Sequence, residues 1–179
     1  MVRNDRVVWA TSMVACGDAD GAVTGNTRRF GASLEKIKQV VDVRKGEIMF
    51  GLNMVVNKGK TIFIADTSVH EYPTSEEMAE IAISAARVVR LFGIDPKIAF
   101  VSHSTFGQPL TSRTKHIRTA VEILKDKQVN FEFDGDMQPD VALDSDYEEL
   151  YPFAKIVGKA NILIMPGQHS AAISYKLMK

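Results

Sequence analysis

Thr61-Ile-Phe-Ile-Ala65 breaks off into Asp66-Thr67-Ser68, a helical stretch runs from Pro73-Thr-Ser-Glu-Glu77 to Gly93, and Lys97-Ile-Ala-Phe-Val101 then breaks off into Ser102-His-Ser-Thr-Phe-Gly107. Two short apolar runs rich in β-branched residues flank one long amphipathic segment. Thr74 with Glu77 three residues on forms a capping-box signature. Met78, Ile81, Ala82, Ala85, Val88, Val89 and Phe92 then recur at helical spacing, and Gly93 supplies the stop. A strand, a helix of this length and a second strand make a crossover unit, which predicts an α/β fold with a mostly parallel sheet.

The same pattern continues outward. Val129-Asn-Phe-Glu-Phe133 runs into Asp134-Gly-Asp136, and Asn161-Ile-Leu-Ile-Met165 runs into Pro166-Gly-Gln-His-Ser170. Helices are expected over 112–127, loosely after Pro139, and from Ser170 to the end. Upstream, Ile48–Val56 and Thr61–Ala65 flank Asn57-Lys-Gly-Lys60, a hairpin signal that adds an antiparallel element. Asn4 or Asp5 caps a first helix through Cys16, Ala22-Val-Thr24 reads as a short strand, and a helix follows over 33–41. Helices are expected on both faces of the sheet, giving three layers. No linker or repeat divides the chain.

Length and composition fit one ordinary domain. The 179 residues suffice for a core that buries about 70% of the extended-chain surface. Formal net charge is zero, so the basic footprint of a nucleic-acid binder is missing, and low net charge favours self-association. One cysteine, Cys16, allows no internal disulfide and suits a reducing cytoplasm; it is expected as a small buried hydrophobe. No apolar run reaches the roughly 20 residues that span a bilayer, which argues against a membrane role. The first residues read as helix interior rather than as a natural start.

Ligands of open α/β sheets bind at the carboxyl ends of the strands, so the strand-end loops are the candidate site. Ser102, Ser104 and Thr105 offer hydroxyls to a polar ligand; His103 is expected as a structural histidine between strand and helix. Pro166, Gly167, His169 and Ser170 open a helix whose free N–H groups favour anions, with Ser170 as its possible N-cap. Gly25-Asn26-Thr27-Arg28-Arg29 combines a glycine loop, a hydroxyl and guanidinium forks, which suit phosphate or serve as a solvated turn. Asp134 and Asp136 are too few for a metal; Asp134 caps a turn, Gly135 supplies a glycine-only conformation, and a ligand-facing role for one acid stays open. No catalytic triad can be assembled around His70.

Taken in order, Asp18-Ala-Asp-Gly21 with Thr24-Gly25, Ala65-Asp-Thr67, Pro73-Thr-Ser-Glu-Glu77, Ser102-His-Ser-Thr105, Asp134-Gly-Asp-Met-Gln138, Gly158-Lys-Ala-Asn161 and Ile173-Ser-Tyr-Lys176 resemble the phosphate acetyl/butyryltransferase family. That family includes stand-alone enzymes, which move acyl groups between acyl phosphate and coenzyme A. It also includes the carboxy-terminal regulatory domain of large bacterial malic enzymes. Thr27-Arg28, Phe106-Gly107, Leu150-Tyr-Pro-Phe153, His169-Ser170 and Ala171-Ala172 resemble the malic enzyme group. The resemblance implies one subdomain of a two-subdomain transferase-like fold, truncated at both ends, with a transferase's Asn-Asp-Leu-Ser-Arg-Gly segment falling beyond Lys179. It implies an isolated chain that is inactive, with half of an inter-subdomain cleft. It implies acetyl-CoA as effector or substrate at Asn26, Thr27, Arg28, Ser102, Ser104, Thr105, Asp134, Pro166, Gly167, His169 and Ser170. It implies as partners the rest of a parent malic enzyme chain and a homodimer. NADP or NAD and Mg or Mn would then serve the parent outside this chain.

Overall fold

The computed structural model describes residues 5–57 and 59–179 and divides the chain into two compact units, Met1–Gly46 and Glu47–Lys179. The boundary follows Gly46, where no change of composition marks it.

In the first unit, α1 (Arg6–Cys16) starts where Asp5 accepts hydrogen bonds from the Val7 and Val8 N–H groups, at 2.9 and 3.4 Å. The alternative cap, Asn4, lies outside the described residues. Helix α2 (Phe30–Lys38) follows. The Asp5 carboxylate also meets Lys36 on α2 and stands 3.7 Å from Arg28. Lys36, opposed by burial and helped by the Val7 and Val8 N–H groups, holds the Asp5 carboxyl below its usual range. Two expectations fail here. Ala22–Thr24 forms no strand, and Val23 is fully exposed, because three residues between glycines meet no neighbouring strand. Cys16 ends α1 exposed, off the face that buries Val7, Val8 and Thr11.

The second unit is built on a five-stranded sheet. In chain order its strands are β1 (Leu52–Asn57), β2 (Lys60–Ala65), β3 (Lys97–Val101), β4 (Glu132–Met137) and β5 (Ile162–Ile164). They lie in the order β1-β2-β5-β3-β4. The β1–β2 hairpin is antiparallel, and β2–β5, β5–β3 and β3–β4 are parallel. The expected mixed α/β fold, mostly parallel with one hairpin, is the fold observed.

Alternation along the central strands divides the core. Phe63, Ala65, Ile98, Phe100, Ile162 and Ile164 face α3 (Ser75–Arg90) and α4 (Ser112–Asp126), whose Met78, Ile81, Ile117 and Leu124 pack against them. Ile64, Ala99, Val101 and Leu163 face the other way, onto Val141 and Ala142 of α5 (Pro139–Leu143), Ile156, and Ala171 of α6 (Gln168–Met178). Strands buried on both faces read as continuous apolar runs, which is why these were visible in the sequence. The Thr74–Glu77 capping box forms as expected, and a second one joins Thr111 to Thr114.

Strand β4 differs from expectation. It begins at Glu132 and continues to Met137, so Asp134 lies inside a strand opposite Ala99 and caps no turn. Pairing with β3 decides this, since Lys97 lies against Glu132 and Val101 against Met137. At Gly135 (φ +144°) an added Cβ would stand 2.7 Å from the Phe100 carbonyl oxygen, so only glycine fits.

Ile164 is fully buried in the sheet centre. Ile164→Ala is expected to lower stability by about 2–5 kcal/mol in a denaturant titration. Because the Asp5 carboxyl is held below its usual value, its contribution is complete above the ordinary carboxylate range and is lost as pH falls through the lowered value. An acid titration followed by NMR should therefore show the Val7 and Val8 amides losing their Asp5 bonds in that window, and Asp5→Asn should abolish the step.

Candidate functional site

Parallel strands β2, β5, β3 and β4 bring their carboxyl ends to one edge of the sheet. The chain leaves β3 for α4 on one face and β5 for α6 on the other, so the two adjacent strand ends diverge. This divergence is the topological switch point of an open α/β sheet, and a crevice opens there.

The crevice contains two adjoining clefts. One, of about 340 Å³, is lined by Ser102 and His103 after β3, Arg113 on α4, and Pro166, Ser170 and Ser174 around the start of α6. The other, of about 380 Å³, is lined by Tyr72, Pro73, Met78, Arg113, Ile117 and Pro166. Arg113, Ile117 and Pro166 line both. A larger cleft of about 510 Å³ near Lys60, Ala160 and Lys159 lies where β2 and β5 begin, away from the carboxyl ends.

Buried polar groups hold the loops. Asp66, 1% exposed, accepts backbone N–H bonds on Oδ1 from Gly51 (2.7 Å), Ser68 (2.8 Å) and Val69 (3.1 Å). Its Oδ2 accepts from the His70 N–H and faces His70 Nδ1, both at 2.7 Å. The far ring nitrogen of His70 stands 4.0 Å from Glu77. Gln168 at the start of α6 donates to the carbonyls of His70 and Ser68, tying the β2 loop to the β5 loop. A Cβ at Gly167 would lie 2.5 Å from the Glu71 carbonyl oxygen, so these loops touch backbone to backbone. After β3, Ser104 donates to the buried Asp136 carboxylate, and its Oγ lies 3.0 Å from that of Ser102. The other Asp136 oxygen is buried without a protein partner. His116 spans the starts of α3 and α4, with its ring nitrogens 3.0 Å from Ser75 Oγ and from the Pro73 carbonyl oxygen.

The sequence-chosen residues distribute unevenly. Ser102, Pro166 and Ser170 meet in the smaller cleft. Ser104 is fully buried and engaged with Asp136, and Thr105 accepts from the Gln138 N–H at 3.3 Å. Asp134 receives the N–H groups of Gly135 and Lys155. Gly167, not Ser170, is the N-cap of α6; Ser170 lies inside the helix and donates to the Gly167 carbonyl. His169 is exposed in the first turn. His103 is exposed at the cleft rather than packed between strand and helix. Asn26, Thr27 and Arg28 belong to the first unit. There Thr27 and Arg28 line a separate cavity of about 230 Å³ with Arg6 and Thr24, and Asn26 adopts φ +61°. Tyr72 and Arg113 were missed. The signal was the helix start of α4, which must stand over the end of β3 once the sheet is parallel. Among the described residues, no His, Cys, Asp or Glu group is arranged to hold a metal, and no helix is long and apolar enough to cross a membrane.

Asp66→Ala would leave four N–H donors without their carboxylate. A loss of about 3 kcal/mol or more is expected in denaturant unfolding, with weaker amide protection at Gly51, Ser68, Val69 and His70.

Comparison with known proteins places this geometry in context. The family model for phosphate acetyl/butaryl transferase matches residues 1–179. An NADP-dependent malic enzyme of Rhizobium meliloti is 44% identical across the whole chain, which covers 24% of that relative. A phosphate acetyltransferase of Buchnera aphidicola is 30% identical over 98% of the chain, which spans 25% of its length. The chain thus spans about a quarter of the relatives it matches. A phosphotransacetylase structure from Streptococcus pyogenes superposes with a TM-score of 0.87 at 28% identity, over 95% of this chain and 53% of that one. On a match along its entire length and a shared architecture, the chain belongs to the phosphate acetyl/butaryl transferase family.

Proposed function

We propose that this chain is the transferase-like regulatory part of a larger NADP- or NAD-dependent malic enzyme, that it senses acetyl-CoA, and that it mediates homo-oligomerisation. The observation that carries the reading is the contrast in similarity. NADP-dependent malic enzymes are 33% to 44% identical across the chain and an NAD-dependent one 30%, whereas phosphate acetyltransferases are 30% and 29% identical. The crevice supports it, because a guanidinium and hydroxyls above an apolar floor suit the phosphates and body of a coenzyme.

The proposed acetyl-CoA contacts are Ser102, Pro166, Gly167, His169 and Ser170 at the crevice. Asn26, Thr27 and Arg28 are proposed contacts on the first unit taken by itself, where Thr27 and Arg28 line its own cavity. Ser104, Thr105 and Asp134 act through the loops they hold. In the parent, oxidation and decarboxylation of malate would use a nicotinamide cofactor and a divalent metal outside this chain. Sensing requires acetyl-CoA to bind two conformations of the parent with different affinity. A cytoplasmic setting fits a malate-oxidising parent.

The alternative is a phosphate acyltransferase that moves acetyl or butyryl groups between acyl phosphate and coenzyme A. The likeness to the Streptococcus phosphotransacetylase favours it. Calorimetric titration of the full-length protein with acetyl-CoA, run beside a malate oxidation assay, separates the two. Binding together with a changed malate rate is the expected result, and Arg28→Ala should shift the dose response by about tenfold, the weight of one charge-assisted contact. Acetyl phosphate formation at enzymatic rates with no malate oxidation would overturn the regulatory reading.

A further inference from the structure

Tyr72 and Arg113 form an arrangement that neither the fold nor the loops require. The guanidinium carbon of Arg113 stands 5.4 Å from the centroid of the Tyr72 ring. Tyr72 is 64% exposed, so burial does not explain its aromatic side chain. The two come from different connections, Tyr72 from the β2–α3 loop and Arg113 from the first turn of α4. They meet at the mouth of a cleft whose floor is Met78 and Ile117.

A guanidinium stacked on a ring keeps its N–H fork free for an anion, and the stacking restrains the side chain beforehand. An exposed ring offers a face to any planar base. An arginine alone would take any anion, and an apolar floor alone would take any apolar body. Their presence in one cleft selects a molecule that carries both a planar apolar group and a phosphate. The volume of about 380 Å³, beside a second cleft of about 340 Å³ that shares Arg113, Ile117 and Pro166, lies in the range of small-molecule sites. Glu77 in the first turn of α3 is already engaged by the Thr74 N–H at 2.7 Å.

We propose that the Tyr72–Arg113 cleft is a subsite for a purine nucleotide, with the phosphate on Arg113 and the base against Tyr72 and the Met78–Ile117 floor. The adenosine bisphosphate end of coenzyme A and a free nucleotide carry the same chemistry. The proposal rests on the acetyl-CoA reading only for which of them supplies it.

The test is calorimetry on the full-length protein with acetyl-CoA, adenosine 3′,5′-bisphosphate and inorganic phosphate, for the parent and for Tyr72→Phe, Tyr72→Ala and Arg113→Ala. The bisphosphate should bind and compete with acetyl-CoA. Arg113→Ala should weaken both by roughly tenfold or more and Tyr72→Ala by several-fold, while Tyr72→Phe stays close to the parent. Both side chains are exposed, so thermal melting should not move. If Arg113→Ala does melt early, Arg113→Lys takes its place and should weaken binding in the same order. Acetyl-CoA binding that ignores Arg113 and Tyr72 overturns this subsite and leaves the regulatory reading standing. Bisphosphate binding that depends on Arg113, with no response to acetyl-CoA, supports the subsite and overturns that reading. Inorganic phosphate binding as tightly as the bisphosphate overturns the nucleotide assignment, and no binding of any of the three overturns the subsite.

Discussion

Everything in the larger unit depends on β5 lying between β2 and β3. Ile162, Leu163 and Ile164 are only three residues, yet their strand pairs in parallel with a neighbour on each side. Both of its faces are covered, Ile162 and Ile164 toward α3 and α4 and Leu163 toward the opposite layer. A strand this short cannot be held by its own ladder. It is held by burial on both sides, at roughly 2 kcal/mol or more per fully buried large side chain. The chain must therefore return from the far strand β4, through α5 and the turns after it, to fill the centre last. That return sends α6 to the face opposite α4, and the crevice is the consequence.

The loops around the crevice are rigid for a separate reason. Asp66 collects four backbone N–H groups and a histidine ring at the end of β2. Asp136 is buried at the end of β4 and takes the Ser104 hydroxyl after β3. Such partners replace water around Asp66 on both oxygens, while Asp136 holds the Ser104 loop through one oxygen and keeps the other without a protein partner. Gln168 and the close approach at Gly167 then lock the β2 and β5 loops together.

The scaffold was legible because its signals are local and repeated. The Thr74–Glu77 capping box and the period from Met78 to Val89 specify α3 without reference to anything distant. The runs that became β2, β3 and β5 are apolar on both faces, a pattern with few other uses. What was not legible depended on partners. Asp134 looks like a turn residue until the length of β3 extends the pairing to Met137. Ala22–Thr24 looks like a strand but meets no edge. Ser104 and Asp136 look like two separate loop residues, and only the fold makes them one buried pair. Arg113 reads as a helix-surface cation until α4 is seen to start over the end of β3.

These particulars bear on what kind of chemistry the crevice suits. Of the polar groups near it, Asp66, His70 and Ser104 are engaged with one another, with Asp136 or with backbone, and Asp136 keeps one oxygen without a protein partner. What faces the opening is an arginine, a tyrosine, an exposed histidine, serine hydroxyls and an apolar floor. Such a set suits an anionic, partly apolar molecule by shape and charge. Folds lend themselves to unrelated functions because the frame and the site are separately encoded. Here the frame is the sheet and its two loop-holding acids, and the residues left to face the crevice are Tyr72, Arg113, His103 and the serines at the strand ends.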